Sequence, residues 1–175
     1  NFMNFKNWIV LGLIAIVTCV AGNSSLALAE SPRFSDNGKQ AISDKLTGLS
    51  WQKGDSFQET KKGMSWYEAV DYVNRKNKEK FGGFQDWRLP TMDELKNIWD
   101  ETRPLRSKDG APVGLPPLFA NGGSYYLWTA NERNLDHAWY FGLGQKEEYF
   151  NLKELGDLEQ GVKMVRSSKK SGKKP

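Results

Sequence analysis

The sequence predicts an α+β domain in which two helices pack on antiparallel strands, with a long loop region between the helices and the last strands. Two segments carry a helical pattern of apolar residues, and both lie in the first two-thirds of the chain. Short β-type runs precede and follow them, and the later runs include a hairpin pattern. Helices and strands that are segregated along a chain in this way favour an α+β architecture.

The N-terminal segment predicts export. Lys6 precedes an apolar run over residues 8–20, and Ala27 and Ala29 give the small-x-small pattern of a signal-peptidase site. We therefore expect residues 1–29 to be a signal peptide and the mature protein to be periplasmic, on the cell surface or extracellular. The run is shorter than the roughly 18 to 20 residues that a membrane span needs, so no span is expected after cleavage. An uncleaved anchor and lipoprotein processing at Cys19 are the alternatives.

The cysteine and histidine content excludes several classes of site. Cys19 is the only cysteine, so if cleavage follows Ala29 the mature chain has no disulfide, thiolate nucleophile or Cys-bound metal. His137 is the only histidine, which is too few for a metal site with two or three imidazoles. We expect no cofactor.

Positive charge is concentrated at the C-terminus. Lys6 and five basic side chains in the last ten residues account for six positive charges, and subtracting them from the net +4 leaves about −2 for the rest. We expect residues 167–175 to be a basic disordered tail. Its alternative role is attachment to an anionic polymer or membrane surface, and no nucleic-acid partner is expected.

The first half of the predicted domain, residues 30–166, contains a hairpin and a helix. Asn37-Gly38 is typical of a hairpin turn, and the chain resumes toward a strand over residues 45–51. Ser65 and Glu68 have the spacing of a capping box, and apolar residues at helical spacing predict a helix over residues 66–80 that ends at Gly82-Gly83.

A short strand at residues 87–89 is predicted to stop at Pro90, where a second helix begins. Thr91 and Glu94 form its capping box, and its inner face fades near residue 101. Residues 102–123 carry prolines and glycines without a period and predict a long loop. The remaining β-type runs are residues 125–130, 138–143, 149–152 and 162–165, the second and third forming a hairpin.

The chain resembles a family named for the C-terminal domain of the Legionella collagen-like protein, which is similar to C-type-lectin-like and formylglycine-generating-enzyme folds. The resemblance covers about residues 33–166 and rests on these segments: Asp36-Asn37-Gly38, Thr47-Gly48-Leu49-Ser50-Trp51-Gln52-Lys53, Asp86-Trp87-Arg88-Leu89-Pro90-Thr91, Tyr126-Leu127-Trp128-Thr129 and Val165-Arg166. It implies a C-type-lectin-like fold. Many members carry cysteines where this chain has Val73 and Met164, so we expect these two residues to meet in the core.

Several conspicuous residues have structural interpretations. Asp86 and Arg88 flank Trp87, and we expect a structural ion pair or a hydrogen-bonded buried arginine there. Paired carboxylates at Glu147 and Glu148 are expected in a solvated hairpin turn. The tryptophans at positions 51, 66, 87 and 99 are interpreted as core residues.

The run from residue 125 to residue 140 is the best candidate for recognition, because it combines aromatic rings with directed hydrogen-bonding groups next to the long loop. We expect Trp128 and Trp139 to be core. The ligand-binding candidates are Tyr125, Asn131, Glu132, Arg133, Asp136 and His137. Calcium-binding triplets of lectins with this fold are absent, so no metal is expected. Asn131, Glu132 and Asp136 would be the ligands of the less favoured calcium site.

The sequence thus predicts a secreted or periplasmic, non-enzymatic binding module that recognises a glycan or an envelope protein through the long-loop face. The resemblance implies adhesion to an anionic polysaccharide, which the basic tail would suit. The alternative is a structural or accessory subunit of a cell-envelope complex. A third and less favoured interpretation is an enzyme that uses carboxylates such as Asp136 and Glu132.

Overall fold

The computed structural model describes residues 32–155 and 159–168, so the predicted signal peptide and residues 169–175 lie outside the described residues. The helices are α1 (Ser56–Thr60), α2 (Trp66–Lys78) and α3 (Met92–Ile98), with a 3₁₀ turn at Phe81–Gly83. The strands are β1 (Phe34–Asp36), β2 (Ala41–Asp44), β3 (Leu49–Gln52), β4 (Leu105–Arg106), β5 (Pro112–Val113), β6 (Tyr126–Glu132), β7 (His137–Gly142), β8 (Glu147–Leu152), β9 (Gln160–Gly161) and β10 (Val165–Ser167).

The described strands form two four-stranded sheets and one small hairpin. The first sheet has the order β1-β2-β3-β10, the second has the order β8-β7-β6-β9, and β4 pairs with β5. All pairs are antiparallel except β6 with β9. The mixture of helices and antiparallel sheets confirms the predicted α+β class. In this part of the chain, no helix is both long and apolar enough to cross a membrane.

Two of the helices begin where their capping boxes predict. The Ser65 side chain accepts from the backbone N–H of Glu68, and Thr91 does the same for Glu94. Each box satisfies backbone N–H groups that lack an intrahelical partner. Helix α2 ends at Lys78, slightly earlier than predicted, and α3 ends at Ile98. Helix α1 was not predicted, because a five-residue helix is too short to show an apolar period, although Asp55 caps it with a third capping box.

Three strand predictions need correction. The segment expected to resume a strand at residue 45 turns first, with a bond from Gly48 N–H to Asp44 O at 2.9 Å, and β3 begins at Leu49. The predicted long loop contains the β4–β5 hairpin. Residues 162–164 lie between β9 and β10, because their backbone groups bond to different segments: Val162 O accepts from Ser56 N–H and Met164 O from Gln52 N–H.

Other expectations change in detail. Residues 87–89 make one β-bridge, between Arg88 and Val165, rather than a strand. Glu147 and Glu148 open strand β8 and do not lie in the turn that precedes it. Strand β10 includes Ser167, so regular structure continues past residue 166.

Two hydrophobic clusters form the core of the described residues. The first includes Trp51, Leu95 and Phe141, and the second includes Val73, Trp87, Trp128 and Met164. Val73 and Met164 thus belong to one cluster, and their direct contact stays a prediction. The side chains of Trp66, Trp99 and Trp139 are only partly buried against these clusters, so all three are less enclosed than predicted.

A charged residue is enclosed among these apolar groups. Lys163 is fully buried, and its ammonium donates to the carbonyl oxygens of Gln52 and Lys53, each at 3.3 Å, and to Gly54 O. Desolvation lowers the pKa of Lys163 to about 8. The lysine therefore connects the residues just before β10 to the segment between β3 and α1.

Candidate functional site

The six predicted ligand-binding residues do not all come together. Tyr125 precedes β6 and packs edge-on against Tyr126, with ring centroids 4.8 Å apart. Its carbonyl accepts from Leu143 N–H at 3.0 Å, at the opposite end of the β6–β7 pair from the hairpin turn. The other five lie at the hairpin turn itself, because Glu132 near the end of β6 pairs with Ala138 near the start of β7.

Two residues at the hairpin end are engaged by the fold. Asn131 accepts through Oδ1 from Met92 N–H at 2.8 Å, at the start of α3. Glu132 forms an ion pair with the buried ammonium of Lys153. Asp136 is exposed, and its backbone N–H donates to Asn134 Oδ1 at 3.0 Å within the turn. These contacts fix the hairpin end against the rest of the domain.

Arg133 and His137 lie together on an exposed aromatic surface. The Arg133 guanidinium carbon stands 3.6 Å from the Phe150 ring centroid and 5.9 Å from that of Trp139. The His137 ring packs edge-on against Phe150 at 5.8 Å, and Trp139 does so at 5.3 Å. We call these four residues the aromatic platform: Arg133, His137, Trp139 and Phe150.

Strand register explains why the platform assembles. Trp139 pairs with Phe150 across β7 and β8, and side chains two residues apart share a face of a strand. Strand β8 is at the edge of its sheet, and 43% of Phe150 is exposed. Phe150 was not among the predicted site residues, although the predicted pairing of these two strands brings it opposite Trp139.

The other face of the same strands carries a row of tyrosines. Tyr140 and Tyr149 are stacked, with centroids 5.3 Å apart and planes 21° apart, and Tyr126 packs edge-on against both. Tyr149 donates to Glu147 Oε2 at 2.5 Å, and this bond raises the pKa of Tyr149 to about 12. Tyr125 belongs to this row rather than to the platform.

Residues 40–166 match the sequence pattern of the Lcl C-terminal domain family. The chain belongs to this family. The match runs from the residue before β2 into β10, so it includes the aromatic platform and both core clusters. No curated protein matches the chain.

Asp86 and Arg88, which flank Trp87, have structural contacts in this Lcl C-terminal domain, but they do not pair with each other. Asp86 Oδ1 accepts from Arg166 Nε at 2.7 Å, and Arg88 Nη2 donates to Glu94 Oε1 at 2.6 Å. The Arg88 side chain is 45% exposed rather than buried. These two pairs connect the segment before α3 to β10 and to α3 itself.

One cleft of the Lcl C-terminal domain has a volume of about 660 Å³ and is lined by residues that include Gln40, Gln58, Glu59, Lys76 and Phe81. Burial would raise the pKa of Glu59, but hydrogen bonds from neighbouring side chains, including Lys76, lower it overall. A carboxylate held ionised in this way is a poor general acid. Within residues 32–155 and 159–168, no three His, Cys, Asp or Glu side chains are grouped to hold a metal ion.

Proposed function

We propose that this Lcl C-terminal domain is an exported, non-enzymatic binding module of C-type-lectin-like fold that recognises an acidic glycan through the aromatic platform. The observation that carries the proposal is the position of Arg133. Its guanidinium stacks on an exposed ring, and it forms no ion pair with any described residue. An arginine stacked by its face keeps its N–H edges available for a carboxylate or sulfate.

The neighbouring rings supply the second half of a glycan site. Sugar rings have apolar C–H faces that pack on aromatic side chains, and Phe150 and Trp139 present partly exposed rings beside Arg133. The Nδ1 atom of His137 contacts Asn134 Oδ1 at 3.1 Å, which orients the imidazole at the border of the platform. The basic residues beyond 168 would add attraction for a polyanion.

Binding to three polysaccharides tests the proposal: dextran sulfate, alginate and neutral dextran. The wild-type protein should bind the two acidic polymers and not dextran, and the affinity should fall as salt is raised. Arg133→Ala should weaken binding about tenfold, since a hydrogen bond to a charged group contributes about 1.5 kcal/mol. Arg133→Lys should recover only part of this loss, because lysine lacks the planar fork.

Arg106→Ala is the matched control, since it removes the same charge from an exposed position on β4, away from the platform. It should bind like the wild type. Equal losses in Arg133→Ala and Arg106→Ala would show that only net charge matters, and the platform would then have no role.

The second candidate function is that of an accessory subunit in an envelope complex, and exposed apolar side chains that border the aromatic platform favour it. The large apolar side chains that are exposed include Tyr67, Leu135, Leu152 and Leu155. Backbone bonds join their segments, because Lys153 O accepts from Trp66 N–H at 3.0 Å and Asp136 O accepts from Lys153 N–H at 2.8 Å. Stoichiometric co-purification of one envelope protein, lost in Leu135→Asp, would favour this function over glycan recognition.

A further inference from the structure

We propose that the groove between helix α2 and residues 87–91 is a second ligand site, which takes a small uncharged aromatic molecule. The groove has a volume of about 470 Å³, within the range of small-molecule sites. Its walls are apolar and are formed by Trp66, Val70, Val73, Trp87, Leu89 and Ala130. None of these residues belongs to the aromatic platform, so this inference goes beyond the proposed glycan site.

The interior of the groove offers rings and methyl groups rather than hydrogen bonds. The indole N–H of Trp66 donates to Thr129 O, and that of Trp87 donates to Phe81 O, each at 2.9 Å. Both tryptophan donors are therefore occupied within the protein. A ligand body that enters the groove must be apolar, because a polar group there would lose its water without gaining a partner.

The lip of the groove is polar but electrically balanced. Arg88 donates to both carboxylate oxygens of Glu94, at 2.8 and 2.6 Å. Burial alone would raise the pKa of Glu94, but the hydrogen bond from Arg88 and other contacts lower it overall, so the carboxylate stays ionised beside the guanidinium. A charged ligand would find both Arg88 and Glu94 already paired with each other. The cost of removing water from the ligand's charge would then not be compensated.

Asn74 supplies the polar contact that such a ligand needs. Its side chain lines the groove and forms no hydrogen bond with any described residue, although the residue lies on the regular helix α2. Thr91 also lines the groove, and its Oγ1 accepts from Glu94 N–H at 3.2 Å, which leaves the hydroxyl hydrogen for a ligand. An apolar ring with one hydroxyl or amide substituent matches this set: an aromatic body within, and one donor–acceptor group at Asn74.

Three probes of one size distinguish this chemistry: benzyl alcohol, benzoate and benzylammonium. We expect benzyl alcohol to bind the protein at millimolar concentration. Binding is measured through changes in the NMR signals of the Trp66 and Trp87 indoles. Benzoate and benzylammonium should bind at least about tenfold more weakly. Equal binding of the three, or no binding of benzyl alcohol up to its solubility, would overturn the proposal.

Variants locate the bound probe. Val70→Phe fills the groove and should abolish the indole signal changes. If this variant does not fold, Ala130→Phe fills the groove from the exposed end of its wall and should have the same effect. Asn74→Ala should weaken binding about fivefold, the effect of one hydrogen bond. Asp71→Ala, also on α2 but outside the groove, is the control and should bind normally. Unchanged binding in a folded groove-filling variant would refute the site.

The two sites can fail independently. Val70→Phe should leave binding to dextran sulfate intact, and Arg133→Ala should leave binding of benzyl alcohol intact. A loss of both activities in either variant would contradict the separation of the groove from the platform.

Discussion

Replacing Lys163 by methionine should remove a specific dependence of stability on pH. The ammonium is fully buried, and its pKa falls from 10.5 to about 8 because burial penalises the charged form. Between pH 8 and pH 10.5 the unfolded chain keeps a proton that the folded protein has released. The free energy of unfolding must therefore rise with pH in this window, by about 1.4 kcal/mol per pH unit at most.

The size of the effect follows from the same shift. A difference of about 2.5 pKa units corresponds to roughly 3 kcal/mol between pH 7 and pH 10.5. Urea unfolding at pH 7, 8, 9 and 10 would measure it as the difference between wild type and Lys163→Met, in which other titrating groups cancel. Methionine also removes the lysine donor from the carbonyls of residues 52–54, of which Lys53 O still accepts from Ala120 N–H at 2.9 Å, at a cost that does not vary with pH. A difference between the two proteins that is constant from pH 7 to pH 10 would refute the reasoning.

Two further predictions concern stability. Thr91→Ala removes the side chain that accepts from Glu94 N–H at 3.2 Å, and should lower the free energy of unfolding by about 1 kcal/mol. Thr91→Ser should keep most of the cap's stabilisation. An unchanged urea midpoint in the alanine variant would show that the cap is not needed. Val73→Cys combined with Met164→Cys should form a disulfide under oxidising conditions, since both residues belong to one buried cluster, and should add about 2 to 4 kcal/mol. Free thiols that persist in the oxidised, folded protein would show that the two positions do not face each other.

Local chemistry predicted helices α2 and α3, whereas long-range backbone pairing set the strand bounds that the sequence did not reveal. The capping boxes at Ser65 and Thr91 act within four residues, so their helices begin where expected. Residues 162–165 alternate between apolar residues and a lysine in the way that predicted a strand, but the backbone groups of residues 162–164 are divided between Ser56 and Gln52. That division depends on segments more than 100 residues away in the sequence, as the Val162 bond to Ser56 illustrates.

Only part of the candidate site was predicted, because the rest depends on pairing between strands. His137 was predicted as a ligand residue and Trp139 as a core residue, but β7 begins at His137, so the two lie on one face and both belong to the platform. Phe150 completes it from the neighbouring strand, which requires the cross-strand register as well as the pattern of one strand. Tyr125 lies at the far end of the pair, because an antiparallel hairpin separates residues before its first strand from its turn.

The predicted residues that turn out to be engaged by the fold explain how the platform is held. Asn131 accepts from the first residue of α3, and Glu132 pairs with Lys153, so both sides of the hairpin end are fixed. Arg133 follows directly and is already stacked on Phe150. In the proposed glycan site a ligand would meet an arginine whose main chain and side chain are both positioned, which would lower the entropy lost on binding. Asn131→Ala should for this reason weaken glycan binding even though Asn131 does not contact the glycan. Asn131→Asp keeps the oxygen that accepts from Met92 N–H, so it should restore binding if Asn131 only positions Arg133. If the Asn131 amide itself held the ligand, Asn131→Asp would bind as weakly as Asn131→Ala.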